Sequence, residues 1–214
     1  MPDEAVNRDP AELRLLGGHA CLDFCNTVDP REGPRPYDFL SSYFDLVAWA
    51  AKTGLISEQD EHSLRAEARE RPAAAQAAVG QALELREALY RIFSSVANGE
   101  PAEAADLEIF NGAFRRASAH VRLAASHQCF AWSWRETEDG LDRTLWLVAQ
   151  SAVELLTSNE LQRVRKCPGR SCGWLFLDVS KNRSRRWCSM DGCGSRAKMR
   201  GLYARRRAQA RGER

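Results

Sequence analysis

The sequence predicts an α+β protein, with a mainly helical N-terminal domain carrying a small β-hairpin or sheet, followed by a small four-cysteine module. Three observations lead to this prediction. Apolar residues recur at helical spacing through much of residues 37–157. Two Cys-x4-Cys pairs lie 15 residues apart near the C-terminus. The residues from 163 onward hold 16 Lys+Arg against 3 Asp+Glu, a balance of +13, whereas the preceding residues carry −11.

The overall composition is that of a soluble globular protein. The 214 residues are 44% hydrophobic and 28% charged, which is enough for one domain and a small module. We expect the domains to span 1–160 and 161–214. The N-terminus lacks the pattern of a signal peptide, and the longest apolar stretch, 145–156, contains Gln150 and Glu154. We therefore expect a cytoplasmic protein with no membrane segment.

The first 36 residues predict short elements. Residues 1–12 are polar and are expected to form a flexible leader. Residues 13–16 predict a strand that Gly17-Gly18 ends, and residues 19–28 predict a helix that ends before Asp29-Pro30.

The helix predicted at 19–28 carries reactive residue types. Cys21 and Cys25 lie four residues apart, with His19 and Asp23 close by. Small cysteines buried in a core helix are the favoured interpretation. A second metal site and a Cys/His nucleophile are the alternatives that the spacing leaves open.

Four longer helices follow. Residues 37–53 are amphipathic, and Ser57 with Asp60 predicts an N-cap for a helix ending near residue 71. The longest helix is predicted over 73–96, and Pro101 is expected at the start of the next one. The helices expected here have their apolar side chains inward, with Leu107, Phe110 and Phe114 on the last of them.

Two strands and a further helix complete the N-terminal domain. Residues 120–124 and 129–135 alternate in hydrophobicity, with a junction near 126–128, and residues 141–157 predict a helix that a turn at Asp139-Gly140 precedes. Trp132 and Trp134 are expected on one face of the second strand. That face is expected in the core, with a ligand cleft as the alternative.

Four cysteines have the spacing of a metal site. Cys167 and Cys172 form one pair and Cys188 and Cys193 the other, each with four residues inside. Structural Zn²⁺ sites use four thiolates in a tetrahedron, and cysteine pairs on tight turns bring two sulfurs to one ion. We predict Zn²⁺ as the cofactor, with these four cysteines as its ligands. Two disulfides, or reduced structural cysteines, are the alternatives.

The residues around the cysteines predict a hairpin and a basic helix. Residues 174–177 are expected to form one strand, 180–184 a turn, and 185–188 a returning strand. After Cys193 no acidic residue occurs until Glu213. The residues expected on one face of the helix that follows are Arg196, Arg200, Tyr203 and Arg207. This order is that of a treble-clef or zinc-ribbon-like finger, which uses the metal as its core.

This segment resembles the CGNR zinc-finger family of bacterial proteins. The matching residues are Cys167, Cys172-Gly173-Trp174, Phe176, Asp178, Asn182-Arg183-Ser184, Arg186-Trp187-Cys188 and Cys193-Gly194-Ser195-Arg196-Ala197. Ser195 stands where the family name calls for Asn, and we expect it to cap the helix that follows.

The beginning of the chain resembles the ABATE domain that accompanies this finger in bacteria. The residues that carry this likeness are Leu16-Gly17-Gly18-His19, Cys21-Leu22-Asp23-Phe24 and Asn26-Thr27-Val28. The resemblance implies a stress-induced transcriptional regulator or an RNA-binding, zinc-ribbon-like protein.

Charge and resemblance together favour a transcriptional regulator that binds nucleic acid, with DNA favoured over RNA. The residues expected to contact it are Arg183, Arg185, Arg186, Arg196, Lys198, Arg200, Arg205, Arg206 and Arg207. The N-terminal domain is then expected to sense a small-molecule effector or to form a homodimer.

Two other function classes compete with this prediction. In an interaction adaptor, the zinc would be purely structural and the basic face would meet an acidic protein. An enzyme centred on His19, Asp23 and Cys25 is disfavoured because the sequence has no HExxH, P-loop, GxSxG or dinucleotide motif. Four thiolates would also leave the zinc no open position for a substrate water. We therefore expect no enzyme.

Overall fold

The computed structural model describes residues 6–7, 9–126, 129–134 and 140–210. Its helices are α1 (Ala20–Cys25), α2 (Tyr43–Lys52), α3 (Glu58–Glu70), α4 (Pro72–Asn98), α5 (Ala104–His120), α6 (Arg143–Leu156) and α7 (Ser195–Ala210). Its strands are β1 (Val6–Asn7), β2 (Val28–Asp29), β3 (Tyr37–Asp38), β4 (Val121–Ser126), β5 (Cys129–Trp134), β6 (Val164–Lys166) and β7 (Leu175–Leu177). A helical body with small sheets and a C-terminal cysteine-rich module confirms the predicted fold class.

Helix α4 lies at the centre of the body. It buries Leu85, Leu89 and Phe93 and packs against α1, α5 and β6. It ends at Gly99, whose φ of +76° is a left-handed conformation that a side chain would oppose. The helix predicted over 73–96 is confirmed, and it extends slightly further at both ends.

Helices α2 and α3 each begin with a capping box. In α3, the Ser57 hydroxyl accepts from the Asp60 backbone N–H while the Asp60 carboxylate accepts from the Ser57 N–H, as predicted. The same arrangement joins Ser42 and Asp45 at α2. The predicted start of α2 at residue 37 is therefore wrong, since the chain enters helical conformation only after Ser42 and Tyr37–Asp38 forms strand β3.

Three expectations near the N-terminus are also wrong. Residues 13–16 form no strand, and α1 ends at Cys25 because Val28 pairs with Asp38 as part of β2. The part of the predicted leader that the structure describes contains a short 3₁₀ turn at Pro10–Glu12. The Lys52 ammonium group holds this turn by donating to the Pro10 and Ala11 carbonyls.

The strands predicted on either side of residue 127 are confirmed, but their packing is not. β4 and β5 pair antiparallel, with Leu123 opposite Trp132 and Ala125 opposite Phe130. Trp132 is 61% exposed and Phe130 is 72% exposed, so this face is not core. The side chain of Trp134 and the predicted turns at 127–128 and 139 lie outside the described residues. Helix α5 differs too, since it begins three residues after Pro101 and leaves Leu107 exposed.

The predicted hairpin of residues 174–177 with 185–188 is wrong. β7 pairs instead with the preceding β6, with Leu175 opposite Lys166 and Leu177 opposite Val164. The turn between the two strands is the first cysteine loop itself, and residues 185–188 form no strand. The short segment before Cys167 has little strand signal of its own, so the sequence does not indicate it as the partner of β7.

The C-terminal module packs on the body, as predicted, through hydrogen bonds as well as apolar contact. The Asn26 amide donates to the Leu175 carbonyl at 2.8 Å and accepts from the Leu175 N–H at 2.9 Å, as a neighbouring strand would. The Leu177 N–H donates to the Gly17 carbonyl at 2.7 Å, and the Trp174 indole N–H donates to the Val28 carbonyl at 3.0 Å. The body thus supplies hydrogen-bond partners along the edge of β7 that does not pair with β6.

None of the helices in the described part of the chain combines the length and the apolar character that crossing a bilayer requires.

Candidate metal centre and nucleic-acid interface

Four cysteine sulfurs converge between β6, β7 and α7. The Sγ atoms of Cys167, Cys172, Cys188 and Cys193 all lie within 4.8 Å of one another, and all four side chains are buried. The Cys172–Cys188 sulfurs are 3.7 Å apart and the Cys188–Cys193 sulfurs 3.8 Å apart. A tetrahedron with metal–sulfur bonds of about 2.3 Å has sulfur–sulfur edges of roughly 3.8 Å. The donor set therefore fits a metal ion, and the separations are far too long for disulfides.

The first cysteine loop has backbone features that bring its sulfurs inward. The Cys167 N–H donates to the Trp174 carbonyl at 2.8 Å, which closes the loop at the end of the β6–β7 ladder. Gly173 has a φ of +66°, a conformation that favours glycine. At Gly169 a Cβ atom would lie 2.8 Å from the Cys193 sulfur, so glycine leaves the space that the fourth ligand occupies.

The second cysteine loop leads directly into α7. The Ser189 hydroxyl accepts from the Gly192 N–H at 3.1 Å, and residues Met190–Gly194 form a π-helical turn. Ser195 already has helical φ and ψ and is exposed. The cap predicted at Ser195 is therefore wrong, because the start of this helical segment is capped six residues earlier, at Ser189.

Hydrogen-bond donors surround the sulfurs. The Cys188 N–H donates to the Cys167 sulfur at 3.4 Å, and the Arg196 guanidinium donates to the Cys193 sulfur at 3.2 Å. This contact raises the pKa of Arg196 above its ordinary value. Such donors offset the negative charge that four thiolates bring to a metal.

The loop between the second and third cysteines is built around Asp178 and Arg185. Asp178 is fully buried, and its carboxylate accepts from the Ser180 N–H and hydroxyl and from the Arg185 N–H. The Arg185 guanidinium donates to the Leu16, Leu177, Trp187 and Cys188 carbonyls and lies 4.5 Å from the centre of the Phe176 ring. Arg185 is thus engaged inside the module through four backbone carbonyls, and of the predicted contact residues it is the one that is not exposed.

The remaining predicted contact residues are exposed. Helix α7 has 16 residues, none of them buried and none acidic in its described length. Lys198, Arg200 and the run 205–207 form no ion pair with any residue that the structure describes. Arg183 and Arg186 are exposed on the preceding loop, and the Arg186 guanidinium lies 5.0 Å from the centre of the Trp187 ring.

A cleft joins the helix to the cysteine loop and the body. Its volume is about 320 Å³, and Arg196 and Arg200 line it from α7 while Asp29 lines it from the body. Arg170, which is not among the predicted contact residues, lines the same cleft. Arg170 lies between Cys167 and Cys172 in the sequence. This position in the first cysteine loop is the signal that could have placed it beside α7.

Comparison with known families agrees with this architecture. Residues 18–159, about two thirds of the chain, match the family model ABATE, whose description is "Putative stress-induced transcription regulator". The chain belongs to the ABATE family. Residues 163–206 match the CGNR zinc finger. Both resemblances expected from the sequence are thereby confirmed, and no curated protein matches the chain.

The reactive residues of the ABATE region are packed in its core. Cys21 and Cys25 are fully buried, and burial raises the pKa of both thiols, to about 12 for Cys25. The His19 Nδ1 atom lies 3.0 Å from the Ser151 hydroxyl and 3.4 Å from the Cys21 sulfur, and burial lowers the pKa of His19. Among the described residues these side chains belong to no group of three or more potential metal ligands. Their protonated thiols favour packing over ligation or nucleophilic attack.

Asn26 is the residue of the ABATE region whose role sequence reasoning missed. Its amide is fully buried, and both of its hydrogen bonds go to Leu175 of the CGNR finger. A sequence signal exists, since Asn26 is among the residues that carry the resemblance, but its partner lies 149 positions away.

Proposed function

We propose that this protein is a cytoplasmic transcriptional regulator whose CGNR finger binds zinc and presents α7 to nucleic acid, with DNA favoured over RNA. The observation that carries this proposal is the exposed, uniformly basic surface of α7, fixed to a four-thiolate site. An unpaired row of arginine and lysine side chains is the typical electrostatic footprint for phosphate.

The metal would be held by Cys167, Cys172, Cys188 and Cys193. A zinc ion with four thiolates has no open coordination position, so in this proposal it organises the finger and the chain carries out no reaction. Thiolate ligands must also stay reduced, which is consistent with the cytoplasm.

The geometry of α7 is consistent with duplex DNA. Its 16 residues span about 24 Å, and an α-helix fits the major groove. Arg200 and Arg207 line one shallow surface of the helix together with Tyr203. Arginine there can contact phosphates or read guanine with two hydrogen bonds. The body carries −11, so it repels the same polyanion and directs contact to the finger.

The proposal is tested by binding of the full chain to duplex DNA, single-stranded DNA and RNA across a salt series. We expect log affinity to fall linearly with log salt, and replacement of Arg200 and Arg207 by Ala to reduce the slope for duplex DNA by about 2, because each lost phosphate contact removes about 0.9.

The matched control removes the same charge from the body. Arg115→Ala with Arg116→Ala changes two exposed arginines of α5 and should leave the slope unchanged. Binding that does not depend on salt, or equal slopes for the two double variants, contradicts the proposal. A protein partner that stays bound after nuclease treatment would instead identify the finger as an adaptor.

A further inference from the structure

An apolar cavity lies at the foot of the β4–β5 hairpin. Its volume is about 210 Å³. Helix α5 contributes Phe114 and Ala117, helix α6 contributes Val153, and β5 contributes the indole of Trp132. An apolar cavity of about 150 Å³ is large enough for benzene. This cavity can therefore accept one aromatic ring.

Two polar side chains of α6 border the same cavity. Its lining surface is almost wholly apolar, so their amide and carboxylate ends lie at its edge, in contact with solvent. Gln150 and Glu154 are one helical turn apart, and the Gln150 amide donates to the Glu154 carboxylate at 3.0 Å. Among the described residues, no Lys or Arg forms an ion pair with Glu154. The Glu154 charge acts on His19, but burial is the larger effect and lowers the pKa of His19.

We propose that this cavity binds a small aromatic amine. The ring lies among Phe114, Ala117 and Val153, and the protonated amino group donates to the Glu154 carboxylate. Hydrogen bonds between two charged groups are stronger than those between neutral groups. Trp132 also lines the cavity, and an aromatic ring attracts positive charge. Trp132 is 61% exposed, so a ligand would also cover apolar surface that now meets water.

The position of the cavity connects it to the finger. Helix α6 presents Gln150, Val153 and Glu154 to the cavity, while Ser151 of the same helix accepts from the Cys21 N–H at 3.0 Å. Cys21 belongs to α1, and the residue that follows this helix, Asn26, holds strand β7 of the finger. A ligand in the cavity thus contacts α6, and α6 supports the segment from Cys21 to Asn26 that holds the finger. In this proposal the cavity is the effector site expected in the N-terminal domain.

The charge preference is measured by calorimetric titration of the full chain with three probes of one shape: 2-phenylethylamine, 2-phenylethanol and phenylacetate. We expect saturable binding of the amine with one site per chain. The affinity for phenylacetate should be lower than that for the amine by about tenfold or more. Glu154→Gln should bring the amine and the alcohol to within about twofold of each other. Glu108→Gln, which neutralises an exposed carboxylate outside the cavity, should leave the preference intact.

The location is tested by filling the cavity. Val153→Phe should abolish binding of the amine, whereas Ala105→Phe, an exposed position on α5, should not. Ser118→Phe, at the rim, serves the same purpose if the first variant fails to fold. Absence of saturable binding to the wild-type chain, or wild-type affinity in the filled variants, overturns the proposal. So does a wild-type dimer in sedimentation that Val153→Phe dissociates, since a second copy would then occupy the cavity.

Discussion

The body and the finger are stabilised in different ways. The body buries large side chains such as Trp49, Phe24 and Phe93 from several helices in one apolar core. The finger buries strand β7, Trp174, Asp178 and its four cysteines, whereas α7 buries nothing. The buried residues of the finger join the same apolar cluster as the core of the body. The cysteine cluster and the contacts with the body must therefore hold the finger together. The comparison teaches that a cationic helix can be positioned without a core of its own when a cysteine cluster and a neighbouring domain support the residues that precede it.

The largest expected effect is loss of the metal. Cys193→Ser removes one of four ligands, and binding of structural zinc contributes about 10–16 kcal/mol in isolated fingers. We expect about one zinc per chain in the wild type by mass spectrometry, little in the variant, and loss of hydrogen-exchange protection over 163–210 with the body still protected.

Cys129→Ser is the control for that experiment, because Cys129 is exposed on β5. It should leave the zinc content and the protection unchanged. Equal protection of the finger in Cys193→Ser would show that the body alone holds the finger, and the contrast between the two regions would disappear.

The next effect concerns the junction of the two regions. Asn26→Leu leaves the Leu175 N–H and carbonyl without their partner, and each unsatisfied buried group costs about 1–3 kcal/mol. We expect the free energy of unfolding to fall by about 4 kcal/mol in denaturant titrations. Asn111→Leu, on the exposed side of α5, should change it little. A small effect at Asn26 would mean that its two hydrogen bonds contribute little to holding the finger on the body.

The pH dependence of the body gives a third test. Burial raises the pKa of Asp23 from 3.8 to about 6. The folded state therefore binds this proton more tightly than the unfolded state, and stability falls as pH rises from about 4 to 6. Between pH 4 and 7 the wild type should lose about 2 kcal/mol relative to Asp23→Asn, which keeps the acceptor for the Gly17 N–H.

This difference is obtained from denaturant titrations at both pH values. Glu100→Gln, at an exposed position, should follow the wild type. A constant difference between the wild type and Asp23→Asn at the two pH values would contradict the prediction.

The smallest effect separates two neighbouring arginines. Arg185→Ala should destabilise the protein by about 2 kcal/mol, because its guanidinium bonds several carbonyls of the finger and its Leu16 contact joins finger to body. Arg186→Ala, at an exposed position, should cost under about 0.5 kcal/mol. If the order is reversed, with Arg185→Ala affecting only nucleic-acid binding, the internal role assigned to Arg185 is wrong.

Features that depend on neighbours in the chain could be predicted from the sequence. The capping box of Ser57 and Asp60 spans three residues, and the helix from 195 onward follows from its own composition. The four cysteines were identified for the same reason, because spacing inside each pair is enough to bring two sulfurs together. The resemblance to the ABATE and CGNR families predicts the order of the two domains as well.

Features that depend on distant contacts were decided only by the tertiary structure. Strand β7 takes β6 and Asn26 as its neighbours, Arg185 turns inward to carbonyls that include that of Leu16, and Trp132 remains at the surface. In each case the residue type permits two environments, and hydrogen-bond partners up to 169 positions away select one. Local patterns determined which groups could bind metal and phosphate, whereas long-range packing decided which of those groups the protein uses to hold itself together.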